Sequence, residues 1–343
     1  MPSPVLENVA PDVDESRVGI SYSGGGPLLL IELGIAQAFV DLKIVPVAIA
    51  GVSAGALAGT AHALDPVNGT GIKAAADALL NLSDHKLGLT RAEIVAKLLG
   101  SLISMLKLPL SLGDNAPIQP MVEGVFNRLS GRPRLTVGDF GTDSRVPLYI
   151  GGTDRRACER YWFPASAEVA DALVASSAIP GVFPPRKITI DGQEMLFVDG
   201  AVAQNQPLSQ LVLGERCGTL YACAVGYDGE HLGDPKDALE NAMSAISILS
   251  HESSRLEQGY VELKFGQAGK GNVYHIHPEG PFNISGFNFT ADEIKQVIDL
   301  ASQQTKDYIQ QQGWMPPGVA APVAVPQPVG ATSGGAPNGG NRT

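Results

Sequence analysis

Short apolar runs alternate with glycine-rich turns and longer apolar stretches along this chain. Val18-Gly19-Ile20-Ser21-Tyr22 is a brief run ended by Ser23 and the triplet Gly24, Gly25 and Gly26. Pro27 follows, a residue suited to the first position of a helix. Leu28 to Leu42 is then apolar on almost every side, as expected of a helix buried in a large domain. Residues 45–50, VPVAIA, are continuously apolar, as buried parallel strands are. Gly51-Val52-Ser53-Ala54-Gly55 leads from there into a helix of small residues through Ala63. Strand, turn and helix thus occur twice in succession. That pattern predicts an α/β fold with a mainly parallel sheet.

Further strands are predicted at 146–152, 220–225 and 273–276, and a closing helix at 291–311. Residues 187–190 and 194–198 flank Asp191-Gly192, a strong hairpin turn signal. The stretch 72–130 reads as mostly helical. Within it Ile94, Val95, Leu98, Leu99, Leu102, Ile103 and Leu106 make an apolar stripe that suits a core helix or a lid facing lipid. Residues 1–16 read as a loose arm and 17–315 as one folded domain. Residues 316–343 form a Pro/Gly/Ala-rich tail of the composition that stays disordered.

Charge narrows the function. The chain carries 24 Lys and Arg against 35 Asp and Glu, a net −11. A phosphate-backbone binder needs a basic face, so nucleic acid is excluded as a partner. Simple electrostatic adhesion to anionic membranes is disfavoured for the same reason. Cys158, Cys217 and Cys223 are an odd number without metal-type spacing, and they read as reduced thiols. No basic segment followed by an apolar stretch opens the chain, and no uncharged run approaches the roughly 18 residues that would span a bilayer. The expectation is a cytoplasmic protein, with peripheral membrane contact and leaderless export left open.

Chemistry starts from the two glycine motifs. A dinucleotide fingerprint needs G-x-G-x-x-G, and Leu29 stands where its third glycine belongs. An oxyanion site suits the triplet better, because glycine lets backbone N–H groups approach a ligand at a helix start. A plain tight turn fits the triplet equally well. Gly51 to Gly55 is G-x-S-x-G between a strand and a helix, the setting of a nucleophile elbow with Ser53 at its apex. A serine nucleophile needs a base. His62 follows the elbow on its helix. His85, His231 and His251 sit in polar contexts, and His275 and His277 share one face of a strand without a third metal ligand. None has the setting of a triad. Asp199, closing the apolar run Phe197-Val198 and followed by Gly200, is well placed for a site at a strand's C-terminal end. An ordinary Asp-Gly turn explains it equally well.

Taken together these residues resemble the patatin-like phospholipases. The resemblance rests on Ser23 to Gly26, Gly34, Gly51 to Gly55 and Asp199-Gly200. It extends to Ala175 to Pro185 (ASSAIPGVFPP), Val198 to Pro207 (VDGAVAQNQP) and the closing helix, so that it spans about 17–312. It implies a three-layer αβα fold and a Ser–Asp dyad without histidine, cofactor or metal. Ser53 would be the nucleophile, Asp199 the base, and backbone amides at Gly24, Gly25 and Gly26 the oxyanion hole. Four positions depart from the family pattern. Leu28 stands where Arg or Lys is usual, Leu29 and Ala201 replace glycines, and Glu32 takes a place where histidine is frequent.

The implied activity is hydrolysis of lipid carboxylic esters through an acyl-enzyme, with a transient encounter at a membrane or micelle surface. Leu28 removes a cation from beside the oxyanion hole, which favours a lipid acyl hydrolase or esterase over a phospholipase in the narrow sense. A catalytically weak lipid-binding relative and an acyltransferase are the alternatives. An unperturbed aspartate titrates near 4, so hydrolysis is expected to persist well below neutrality.

Overall fold

The computed structural model describes residues 11–316 apart from 91, 95–110, 228, 230–232, 236–237, 283 and 285. The first ten residues, the apolar stripe beyond Ile94, His231 and the tail from 317 therefore lie outside the described residues.

The first strand, β1 (Asp14–Tyr22), starts earlier than the apolar pattern predicts. Its exposed polar start is held through the backbone and by polar side chains. Asp14 pairs with Cys217, and the Thr219 hydroxyl donates to the Glu15 carbonyl at 2.7 Å. After a single 3-10 turn (Gly26–Leu28) comes α1 (Leu29–Asp41), buried on almost all sides. β2 (Ala48–Val52) begins later than predicted, since Pro46 cannot donate to a ladder and Val45 is half exposed. It runs directly into the elbow and α2 (Ala54–Leu64). Next come α3 (Thr70–Leu79) and the short α4 (Ile118–Val122). β3 (Leu148–Asp154) and β4 (Glu159–Trp162) follow, and then α5 (Val169–Ser176). β5 (Arg186–Ile190) and β6 (Gln193–Val198) form the predicted hairpin, with Asp191 and Gly192 both at positive φ, 51° and 83°. The chain closes with α6 (Leu208–Glu215), β7 (Cys217–Cys223), α7 (Ala238–Ala268), β8 (Asn272–Ile276) and α8 (Ala291–Gln312).

The strands form one sheet in the order β5-β6-β3-β2-β1-β7-β8, with β4 paired to β3. β3, β2, β1, β7 and β8 run parallel, whereas β4, β5 and β6 join antiparallel. Alternate residues of the central strands feed two separate cores. Ile20, Ile49 and Tyr221 pack with Leu30, Leu33 and Phe39 on one face. Ala48, Ala50 and Leu220 pack with Leu211, Val261 and Phe265 on the other. This is a three-layer αβα arrangement with a mostly parallel centre.

No helical period marks 238–268 in the sequence, yet it forms the longest helix described. Its apolar residues do not share a face. Leu249, Leu256 and Leu263 are exposed at 70%, 74% and 59%, while Ser254 and Lys264 are buried beside Val261 and Phe265. That distribution erases the period on which a helix assignment rests.

Candidate active site

Ser53 sits at the sharp junction of β2 and α2 with φ 52° and ψ −125°, a conformation that side chains other than glycine rarely adopt. The elbow closes because its flanking residues lack side chains. A Cβ on Gly51 would stand 2.4 Å from the Gly55 carbonyl oxygen, and one on Gly55 would stand 2.3 Å from that of Ser23. The Ser53 N–H donates to Ser176 Oγ at 2.7 Å, and that hydroxyl donates to the Gly151 carbonyl at 2.7 Å.

Asp199 follows β6 and opens a 3-10 turn (Gly200–Val202). Its Oδ2 accepts the Ser53 hydroxyl at 2.6 Å, and its Oδ1 accepts the Ala201 N–H at 2.8 Å. Ala201, which replaces a family glycine, thus serves through its backbone. The Asp199 N–H donates to the Ala178 carbonyl, and its own carbonyl accepts from Thr153 Oγ1. Ser53 and Asp199 are only 4% and 3% exposed. Burial pushes the Asp199 carboxyl up to about 7, against the lowering effect of the bonds from Ser53 and Ala201. The expectation of an ordinary carboxylate titrating near 4 is therefore corrected: this one has been moved into low dielectric.

The glycine triplet lies across from the pair. The Gly24 N–H donates to Asn205 Oδ1 at 3.0 Å, so this amide already has an acceptor within the protein. Among the described residues, neither Gly25 nor Gly26 has its N–H bound to a protein acceptor. Gly25 packs against Val225, with 2.3 Å between Val225 Cγ2 and the place of a Cβ.

Gly24, Gly25, Gly26, Ser53 and Asp199 line one cavity of about 220 Å³. Leu28, Ile179, Pro180, Val202, Val225 and Ile246 supply its apolar wall, and Ser247, Ser250 and His251 of α7 its polar one. Larger clefts of about 650 and 720 Å³, beside α3, hold none of the site residues.

The histidines divide differently from their sequence contexts. His62 is fully buried, bonded through Nδ1 to the Tyr22 hydroxyl at 2.9 Å and stacked on Phe39. Burial lowers it to about 3, so it is neutral. His275 lies 3.7 Å from Glu262. His251, read as an exposed polar residue, instead half-buries in the cavity with its ring edge-on to Tyr227. Glu32, in the first turn of α1, is wholly buried with neither oxygen partnered, and burial keeps its carboxyl far above the usual range and neutral. Ser176 and Asn205 enter the site although no local signal marks them, and His251 lines the cavity although its sequence context had no triad setting. The first belongs to the quoted ASSAIPGVFPP block and the second to VDGAVAQNQP, but only the fold gives them their partners.

Comparison with solved structures finds low-identity neighbours. VipD from Legionella pneumophila shares 16% identity with a TM-score of 0.46, over 87% of this chain and 67% of that one. ExoU, a type III effector of Pseudomonas aeruginosa, shares 14% with a TM-score of 0.44, over 89% of this chain and 54% of that one. The chain thus spans about two thirds of VipD and about half of ExoU. No curated protein matches significantly. The model of the patatin-like phospholipases matches residues 20–212, which include the glycine triplet, the elbow and the aspartate. With more than half of its length matched to a lipid acyl hydrolase family, and with Ser53 bonded to Asp199 inside the matched region, this chain belongs to the patatin-like phospholipases.

Proposed function

We propose that the chain is a serine esterase acting on lipid carboxylic esters through a Ser53–Asp199 dyad and an acyl-enzyme. The observation that carries this reading is the 2.6 Å bond from Ser53 Oγ to Asp199 Oδ2, made from a strained elbow inside a mainly apolar cavity. Asp199, raised to about 7, is matched to general-base work near neutrality. It takes the hydroxyl proton as Ser53 Oγ bonds to the ester carbonyl carbon. The carbonyl oxygen becomes an oxyanion facing the Gly25 and Gly26 N–H groups. The C–O bond to the alcohol breaks, and the leaving oxygen receives the proton from Asp199. Asp199 then deprotonates a water that attacks the acyl carbon. The fatty acid leaves, and Ser53 recovers its proton.

Leu28 lines the cavity where the family usually carries a cation, which favours uncharged esters over phosphate-bearing ones. The test is covalent labelling with a fluorophosphonate. Labelling should require Ser53 and fall sharply in Asp199→Asn. A folded wild type that takes no label would refute the activated serine and leave a lipid-binding relative.

A further inference from the structure

The Gly24 N–H bond to Asn205 does more than engage one amide of the oxyanion turn. Asn205 is buried, and its amide group bridges two elements. Its Oδ1 accepts from Gly24 at 3.0 Å, and its Nδ2 donates to Ser254 Oγ of α7 at 3.0 Å. The Ser254 hydroxyl in turn donates to the Ser250 carbonyl at 3.0 Å. That last bond fixes the amide's orientation, because Ser254 has its proton on Ser250 and can only accept from Asn205. The Asn205 N–H donates to Ser253 Oγ at 3.3 Å, so backbone and side chain of one residue both seat on α7. The next residue back, Gln204, donates to Glu257 of the same helix at 2.6 Å.

We propose that Asn205 is a positioning residue for the oxyanion turn, carried by α7 through Ser254. The turn is built of three glycines and has no side chains with which to hold its own orientation. Fixing the Gly24 N–H fixes the plane of the Ser23–Gly24 peptide. The Gly25 and Gly26 amides then inherit a set direction toward the cavity. Preorganisation of this kind decides how much an oxyanion hole contributes, because donors that must reorient during the reaction lose most of their effect. The same helix supplies Ile246, Ser247, Ser250 and His251 to the cavity wall. The helix that would contact the substrate thus also holds the turn that would bind its oxyanion. This inference rests on the acyl-transfer reading of the site.

The test compares p-nitrophenyl esters with their thiono analogues, in which sulfur replaces the carbonyl oxygen. Sulfur is a poor hydrogen-bond acceptor, so the oxygen-to-sulfur rate ratio reports the quality of the hole. In Asn205→Ala, kcat on the oxygen ester should fall about 10- to 100-fold with KM changed little. The oxygen-to-sulfur ratio should fall with it. Ser254→Ala, which leaves Asn205 in place, should move the ratio the same way by less. Exchange of the Gly24 amide with solvent, followed in glycine-labelled protein, should speed up in both variants. A ratio equal to wild type in a folded variant overturns the proposal even where kcat drops, since a general loss of structure slows both esters alike. If Asn205→Ala does not fold, an unchanged ratio in Ser254→Ala overturns it. Wild type without Ser53-dependent turnover would instead sink the esterase reading. Gly24 exchange unchanged in Asn205→Ala would refute the clamp regardless of activity.

Discussion

Ser176 Oγ accepts the N–H of Ser53 at 2.7 Å and donates its own hydroxyl hydrogen bond to the Gly151 carbonyl at 2.7 Å. The nucleophile candidate is thus anchored by a helix residue far away in the chain. Ser176 is fully buried, so nothing else replaces these bonds. Ser176→Ala should destabilise the fold by about 1–3 kcal/mol, the cost of leaving a buried donor and acceptor unpaired. Ser53 labelling should slow as well. Urea unfolding and the labelling rate check the two effects, and a variant as stable as wild type would contradict the anchoring role.

The pH profile follows from Asp199. The group must be ionised to act as base, and it is raised to about 7 by burial. Activity should therefore be high at pH 8 and fall as pH drops through about 7, with little left near 5. A midpoint near neutrality invites a histidine explanation. His251 is the histidine lining the cavity among the described residues, so His251→Ala should leave the midpoint in place. A midpoint near 4 would refute the elevated carboxyl, and one that vanishes with His251 would reassign the base.

The same shift has a stability consequence. Asp199 binds its proton more tightly folded than unfolded, since its folded value lies above the ordinary 3.8. Its contribution is fully present below about 4 and is lost as pH rises through about 7. At pH 8 the folded protein carries a buried, ionised carboxylate. Asp199→Asn should therefore be more stable than wild type at pH 8, by on the order of a few kcal/mol. The difference should shrink by more than half at pH 5 and disappear below about pH 4. Paired unfolding curves at the two pH values test this, and a pH-independent difference would contradict it.

Leu28 should set the preference for uncharged substrates. It lines the cavity beside Gly25, and its Cδ1 lies 3.3 Å from where a Cβ on Gly226 would be. Leu28→Arg places a guanidinium where a phosphate could meet it with charge-assisted bonds. The ratio of kcat/KM on lysophospholipid to that on an uncharged monoacyl ester should rise by about tenfold, equivalent to about 1.4 kcal/mol. An unchanged ratio would show that the substrate's head group lies elsewhere.

The sequence by itself determined the layer plan and pointed to Ser53 and Asp199, which the fold brings within hydrogen-bond distance. Val18 to Tyr22, the glycines and the elbow around Ser53 are local signals, because strand, turn and helix preferences act over neighbouring residues. Asp191-Gly192 likewise forms its hairpin from turn chemistry alone. Asp199 was visible through its block but was indistinguishable from a simple Asp-Gly turn until the family pattern was considered. Other features were fixed only by the tertiary structure. Helix α7 escaped because Leu249, Leu256 and Leu263 point outward while Ser254 faces inward. The base strength of Asp199 escaped because desolvation belongs to a three-dimensional enclosure and not to a residue type. The bond that engages the Gly24 amide escaped because its partner, Asn205, arrives from the far end of the matched region. Local chemistry can be read along the chain. Which donors stay free, and how strongly a buried acid holds its proton, depend on contacts between residues that only folding brings together.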